Sequence, residues 1–245
     1  MITFGGGMIL MDVEGTVSPL AFVHEVMFPF ARQRAGAFLE RNAKLSSTGA
    51  ALRQMAVDAG HASVAAWCPF PMPSPATIAW LVAEIHRLMD ADAKLTGLKQ
   101  LQGLIWEGGF KNGELQATLF DDVEGALRQW QASGVQLRIY SSGSVHAQKL
   151  FFAHTGAGDL APLLSGFYDT TTGPKRDSTS YAAIAADAGF VPQDTLFLSD
   201  VGEELDAARA AGMQTALAIR PGNRETKGVQ HPFFSSLHDI TIVRP

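Results

Sequence analysis

The chain carries two hydrophobic rhythms. At residues 8–11 four apolar side chains follow one another without a break, MILM, and the run ends abruptly in Asp12, Val13, Glu14, Gly15 and Thr16. A short apolar run of this kind suits a strand buried on both faces, and Gly15 lets the chain turn sharply after it. From about 20 to 113 the rhythm becomes helical. Residues 24–39 carry Val26, Met27, Phe30, Phe38 and Leu39, with Pro29 expected to kink that helix or lie near its start; Leu52, Met55 and Ala56 share a face, with Gly60 as a C-terminal stop. A proline-punctuated loop at 69–75 hands over to the clearest helix, with Ser74 as N-cap, Pro75 at the first position, and Ile78, Leu81, Val82, Ile85, Leu88 and Met89 at helical spacing.

From Leu119 strand and helix alternate again. Asp121 or Asp122 is expected to cap a helix bearing Val123, Leu127 and Trp130, Gly134 to end it, and 135–140 to form a strand delivering Ser141, Ser142 and Gly143. Ser144 is expected to cap the next helix. A short strand near Phe167, the loop TTTGPK ending at Lys175, a helix over 178–188, a strand over 195–198 ending at Ser199 and Asp200, a helix from about Glu203 to Gly212, and a strand over 215–219 complete the series. Such alternation predicts an α/β fold: a doubly wound parallel sheet with right-handed crossovers, and a helical block inserted after the first strand.

Four polar clusters then fall at strand ends or in neighbouring loops: Asp12 with Glu14, Ser141 with Ser142, Lys175, and Asp200. In an open parallel sheet these all reach the crevice at the carboxyl edge. A carboxylate can attack a phosphoryl group, an acid two residues on can protonate the leaving oxygen, hydroxyls and N–H groups can hold phosphoryl oxygens, and carboxylates from two strands can hold Mg²⁺. Each cluster also has an ordinary reading: an acidic turn for Asp12 and Glu14, turn serines, a solvated lysine, and a helix N-cap for Asp200.

Composition narrows the choice. The chain has 245 residues, 47% of them hydrophobic, which is enough for a full core in one large domain or two smaller ones. A net charge of −5 gives no footprint for nucleic acid and makes any phosphate site a local construction. The single cysteine, Cys68, excludes an internal disulfide framework or a cysteine zinc cluster and is assigned to packing. No pair among the seven histidines has metal-ligand spacing with a carboxylate, and the four tryptophans are assigned to the core. No apolar run approaches transmembrane length and no signal-like segment opens the chain, so a cytoplasmic protein without a membrane partner is expected. The glycines at 5–7 are expected to form a flexible lead-in.

The strand end DVEGT resembles the first motif of the haloacid-dehalogenase-type phosphohydrolases, and Glu14 at its second acidic position resembles their enolase-phosphatase (acireductone synthase) branch. The resemblance continues through FVHEVMFPFA (22–31), IWEGGFKNGELQATLFDDV (105–123), YSSGSVHAQKLFF (140–152), YDTTTGPKRDSTSYAAIA (168–185) and LFLSDVGEELDAARAAGMQTALAIRPGN (196–223), and weakens between 41 and 100. Val17 and Ser18 stand where threonines are common; the acids are intact.

The resemblance implies a phosphohydrolase core over 1–17 and 116–245 and a helical cap over 18–115 that closes on the pocket. It further implies Asp12 as nucleophile and Mg²⁺ ligand, Glu14 as general acid and base touching the metal through its backbone carbonyl, Ser141 and Ser142 as phosphate ligands, Lys175 paired with the phosphate and Asp12, and Asp200 completing the metal site. Glu203 or Glu204 would orient metal-bound water. The implied reaction enolises and then dephosphorylates 2,3-diketo-5-methylthiopentyl 1-phosphate in methionine salvage, in a monomer; a phosphatase for another small phosphorylated metabolite is the alternative.

Overall fold

The computed structural model describes residues 1–71, 74–224 and 230–243. Met72 and Pro73, inside the proline-punctuated loop, lie outside the described residues. The chain forms two compact units, one of Met1–Val23 with Gln116–Pro245 and the other of His24–Leu115.

In the first unit, β1 (Ile2–Phe4) is followed by β2 (Met8–Met11), whose four residues are all buried. A six-stranded, all-parallel sheet is built around β2. Its order is β4 (Gly166–Tyr168), β3 (Gln136–Tyr140), β2, β5 (Thr195–Ser199), β6 (Gln214–Ala218) and β7 (Phe233–Phe234). From β2 the chain builds outward through β3 and β4, then crosses back to β5 on the other side. That reversal puts the topological switch point at the carboxyl end of β2, where Asp12 begins the acidic turn. This is the doubly wound α/β fold that the alternation predicts.

Alternate strand residues cover one face of the sheet. Leu10, Tyr140, Tyr168, Phe197 and Leu217 pack there with Tyr181, Ile184 and Ala185 of α8 (Ser178–Ala188) and with Leu205 and Ala208 of α9 (Gly202–Ala210). In α6 (Val123–Ala132) the buried residues Val123, Ala126, Leu127 and Trp130 recur at helical spacing, and Gly134 ends the turn at φ +73°. Ser144 caps α7 (Val145–Ala153) by accepting from the Ala147 N–H at 3.3 Å.

The second unit is all helical: a π-helix begins at Phe22–Met27, ahead of α1 (Phe28–Asn42), α2 (Ser46–Asp58), α3 (Val64–Trp67), α4 (Pro75–Asp90) and α5 (Thr96–Lys111). Pro29 is the second residue of α1, which directly follows the π-helix, and Met27 ahead of it already has helical backbone at φ −66° and ψ −50°. Ser74 caps α4 through the Thr77 N–H at 3.2 Å. Ala35, Leu39, Leu52, Met55, Leu81, Ile85, Leu98 and Leu101 form this unit's core, with Trp67 beside them. The Asp58 carboxylate accepts from the Gly97 N–H in the first turn of α5 at 2.7 Å, supplying an acceptor for a helix end that lacks its own side-chain cap. No described helix is long and apolar enough to cross a membrane.

Two local readings are corrected. The glycines at 5–7 form a packed connection: Gly7 N–H donates to Asp194 O at 3.0 Å, and Gln136 N–H donates to Gly7 O at 2.8 Å. A Cβ on Gly6 would stand 2.5 Å from Asp194 O, whereas one on Gly5 would meet its nearest neighbour at an ordinary 3.4 Å. Asp122 occupies the N-cap position of α6 without capping it. Its carboxylate turns instead to Arg220 Nη1 at 2.7 Å, Ser236 Oγ at 2.9 Å and the Leu237 N–H at 2.5 Å. A buried guanidinium competes for that carboxylate more strongly than a helix N–H does. The two C-terminal strands were also unforeseen: β8 (Ile240–Ile242) pairs with β1 in a separate two-stranded parallel sheet, and β7 closes one edge of the main sheet.

Two outcomes follow from this packing. Gly6→Ala is expected to lower stability by about 1–3 kcal/mol, the usual cost of overpacking, while Gly5→Ala stays near zero; denaturant midpoints measure both. Burial raises the carboxyl of Asp122, but the hydrogen bonds from Arg220, the Leu237 N–H and Ser236, with the charge of Arg220, together outweigh it and the net shift is downward. A depressed carboxylate stabilises the fold above its unfolded-state value, about 4, and that contribution is lost as pH falls through the folded value. Asp122→Asn should therefore flatten the acid limb of stability between about pH 5 and 2, read by denaturant unfolding at each pH.

Candidate active site

The acidic turn begins where β2 ends. Asp12 N–H still donates to Leu198 O of β5 at 2.9 Å, so the first acid remains in register with the sheet. The chain then folds back, with the N–H groups of Thr16, Val17 and Ser18 all donating to Val13 O and Gly15 N–H donating to Ser18 O at 2.7 Å. Gly15 has φ +74°, and a side chain there would collide with the Asp200 carboxylate. Only glycine satisfies both the left-handed backbone and that close approach. Asp200, in the turn after β5, is thereby held against the loop that follows Asp12.

The lysine arrives from the other side of the sheet, in the loop after β4. Three side-chain hydroxyls donate to three consecutive carbonyls of that loop: Tyr140 to Gly173 O at 2.8 Å, Ser180 to Pro174 O at 2.9 Å, and Tyr181 to Lys175 O at 2.6 Å. So anchored, Lys175 Nζ lies 2.5 Å from Asp12 Oδ1 and 2.7 Å from Glu204 Oε2, with its side chain only 10% exposed. Glu204 in turn accepts from Ser199 Oγ at 2.9 Å. Ser141, buried at the end of β3, donates to Glu14 Oε2 at 3.2 Å, while Ser142 beside it is exposed.

The electrostatics are unbalanced. Among the described residues four acids, Asp12, Glu14, Asp200 and Glu204, surround one lysine. Burial, reinforced by the charge of Asp12, holds the Glu14 carboxyl above its ordinary value. The same two causes push Asp200 and Glu204 each up to about 7. Burial works against the ammonium of Lys175, but Asp12 and Glu204 overcome it and hold the lysine firmly charged. This surplus of desolvated negative charge is a place where a cation lowers the energy.

Among the described residues no three His, Cys, Asp or Glu side chains are gathered closely enough to cage a metal by themselves. Mg²⁺ does not need such a cage, since it binds through one or two carboxylates and keeps oxygen ligands from water and phosphate. Asp12 and Asp200, on the ends of adjacent strands, are a donor set of that kind, and they fit the ion.

The structure therefore brings Asp12, Glu14, Ser141, Lys175 and Asp200 to one edge of the sheet and leaves Ser142 at its rim. Of the two glutamates left open by the sequence, Glu203 is exposed and Glu204 is the partner of Lys175. Helical spacing carried a hint of this, because Glu204 lies one turn after Asp200. Asn223 was missed: its Nδ2 donates to Gly15 O at 2.9 Å and to Ala218 O at 3.1 Å. The signal for it was the Pro221–Gly222 turn directly after an apolar strand.

Residues 8–212 match the family described as "Hydrolase: haloacid dehalogenase-like hydrolase". The chain is 44% identical over 232 residues to Enolase-phosphatase E1 of Gluconacetobacter diazotrophicus, covering 95% of this chain and 92% of the relative. It is 47% identical over 218 residues to Enolase-phosphatase E1 of Synechococcus elongatus, covering 88% and 89%. Among solved structures, the UTR4 protein of Saccharomyces cerevisiae superposes with a TM-score of 0.78 at 31% identity, covering 95% of this chain and 98% of that one. A phosphatase from Thermococcus onnurineus shares the fold at a TM-score of 0.59 and 13% identity.

Lys175→Met is expected to destabilise the protein by about 3–5 kcal/mol, the usual cost of leaving buried charges without their partner. Urea unfolding in buffer free of divalent cations measures it.

Proposed function

The chain belongs to the haloacid dehalogenase-like hydrolases and, within them, to the enolase-phosphatase E1 family, and from that premise we propose that Asp12 is its phosphoryl-accepting nucleophile and Glu14 its general acid and base. The substrate is 2,3-diketo-5-methylthiopentyl 1-phosphate of methionine salvage, which is enolised and then dephosphorylated to the acireductone. The observation that carries the assignment of roles is the 2.5 Å pair of Asp12 with a charged, anchored Lys175, beside an acid two residues on whose proton affinity burial raises.

Each residue then has a task that its surroundings support. Lys175 holds the Asp12 carboxylate in place while substrate is absent and offsets phosphoryl charge once it is bound. An Asp12 oxygen attacks phosphorus, the bond to the leaving oxygen breaks, and the proton of Glu14 passes to that oxygen. Glu14, now a carboxylate, removes a proton from water, which attacks the aspartyl-phosphate and frees Asp12. Ser141 and Ser142, ahead of the N-terminus of α7, hold phosphoryl oxygens. Asp12, Asp200 and the Glu14 backbone carbonyl would hold Mg²⁺, which supplies Lewis-acid stabilisation of charge on the phosphoryl group and on the diketone oxygens. Glu204 acts through Lys175, as its second carboxylate. The reading carries with it a cytoplasmic monomer.

The test follows phosphate release and ene-diol formation together on the diketo phosphate, with Mg²⁺ and with chelator. Wild type is expected to yield both products only with Mg²⁺, and Asp12→Asn to lose phosphate release by at least about 10³-fold. Hydrolysis of other phosphate esters while this substrate is left untouched would overturn the pathway assignment and keep the phosphatase. Unimpaired phosphate release by Asp12→Asn would overturn the nucleophile.

A further inference from the structure

We propose that Arg220 and Asn223 are positioning residues that clamp the loop carrying Asp12 and Glu14; the inference rests on the assignment of the catalytic acids to that loop. The two residues bracket a tight turn just beyond β6. Asn223 N–H donates to Arg220 O at 3.1 Å across Pro221 and Gly222, and Gly222 has φ +85°, the geometry a Pro-Gly turn supplies at no steric cost. Both side chains therefore leave the same turn, and both reach the acidic loop.

Arg220 is 6% exposed, and its Nε donates to Thr16 O at 3.0 Å. Nη1 donates to Ser235 O at 2.8 Å and to Asp122 Oδ2 at 2.7 Å, and the guanidinium lies over the rings of Phe120 and Phe234 at 4.8 and 5.4 Å. One planar group thus ties the carbonyl two residues beyond Glu14 to the start of α6 and to the segment after β7. Lysine carries no such fork, since it presents a point charge on a flexible stem. Asn223 bonds the adjacent carbonyl, Gly15 O, and ties it to Ala218 O at the end of β6.

Consecutive carbonyls, at Gly15 and Thr16, are in this way fixed to a strand two places away in the sheet. The loop needs such a tether. Its backbone N–H groups at residues 15–18 reach only Val13 O and Ser18 O, its far end is held by Ser18 Oγ donating to Thr118 O at 2.8 Å and by the Phe120 N–H donating to Val17 O at 3.1 Å, and the acids it carries repel one another. A buried arginine is an expensive way to pack a loop if only packing is needed. It is the appropriate device if Asp12 and Glu14 must be held to a fraction of an ångström, because a displacement of about 1 Å at a reacting group costs on the order of 10²-fold in rate.

The experiment uses the full chain with Asn223→Ala and, separately, Arg220→Lys. Steady-state kinetics on the diketo phosphate should show kcat lowered about 10- to 100-fold with KM within threefold of wild type. Amide hydrogen exchange should be at least tenfold faster at residues 15–18 and unchanged at 196–198 in β5. The proposal is overturned by a kcat within twofold of wild type, by a loss confined to KM, or by exchange that quickens equally in β5, which marks a general structural role. If Arg220→Lys does not fold, Asn223→Ala carries the test, its side chain being only partly buried at the turn. A wild-type protein inactive on the diketo phosphate would defeat the functional reading instead, and the clamp would then stand or fall on the exchange pattern alone.

Discussion

Everything at the carboxyl edge of this sheet answers one constraint: several carboxylates are held out of water close together, with a single lysine among them. Like charges at such distances raise each other's proton affinity, and low exposure magnifies the effect. The pair of Lys175 with Asp12 and Glu204 offsets part of it. Position therefore matters more than identity. A lysine on an unanchored loop would swing into solvent, so three hydroxyls from β3 and α8 fasten its backbone at three successive carbonyls.

The same constraint explains the glycine after Glu14. Asp200 approaches the turn so closely that no side chain fits between them, and the backbone there is left-handed. Residues far apart in the chain are thus joined over distances that only small groups and backbone atoms permit. The buried pair of Arg220 and Asp122 belongs to this group, extending the restraint from the acidic turn to the C-terminal segment after β7. Desolvated charge and dense hydrogen bonding are gathered in this region, whereas the rest of the core is ordinary aliphatic and aromatic packing.

The helical unit shows a simpler economy. Its core of alanines and leucines, with Met55, Trp67, Ile85 and Ile105, is built from amphipathic helices, and the faces of α1, α2 and α4 were readable one by one. A side chain on Gly97 would run into the Met55 backbone, so α5 starts directly against α2. That contact, like the Asp58 cap on the same helix, depends on a neighbour distant in sequence, and α5 was not anticipated as an element at all.

What the sequence determined by itself were the features set by local periodicity and local chemistry. The unbroken run MILM specified a buried strand, Ser74 with Pro75 a helix start, and Gly134 and Gly60 helix ends, since hydrophobic spacing, caps and left-handed glycines act within a few residues. The parallel sheet followed from the alternation, and its topology drew acids, serine and lysine to one edge. Tertiary structure alone decided which of Glu203 and Glu204 faces the lysine, that Asp122 serves Arg220 rather than its own helix, that the glycines at 5–7 are packed, and that β1 finds its partner in β8 at the far end of the chain. Each of these is a competition between a local partner and a distant one. A distant partner wins when burial strengthens its hydrogen bond or charge, and burial is a property of the assembled fold.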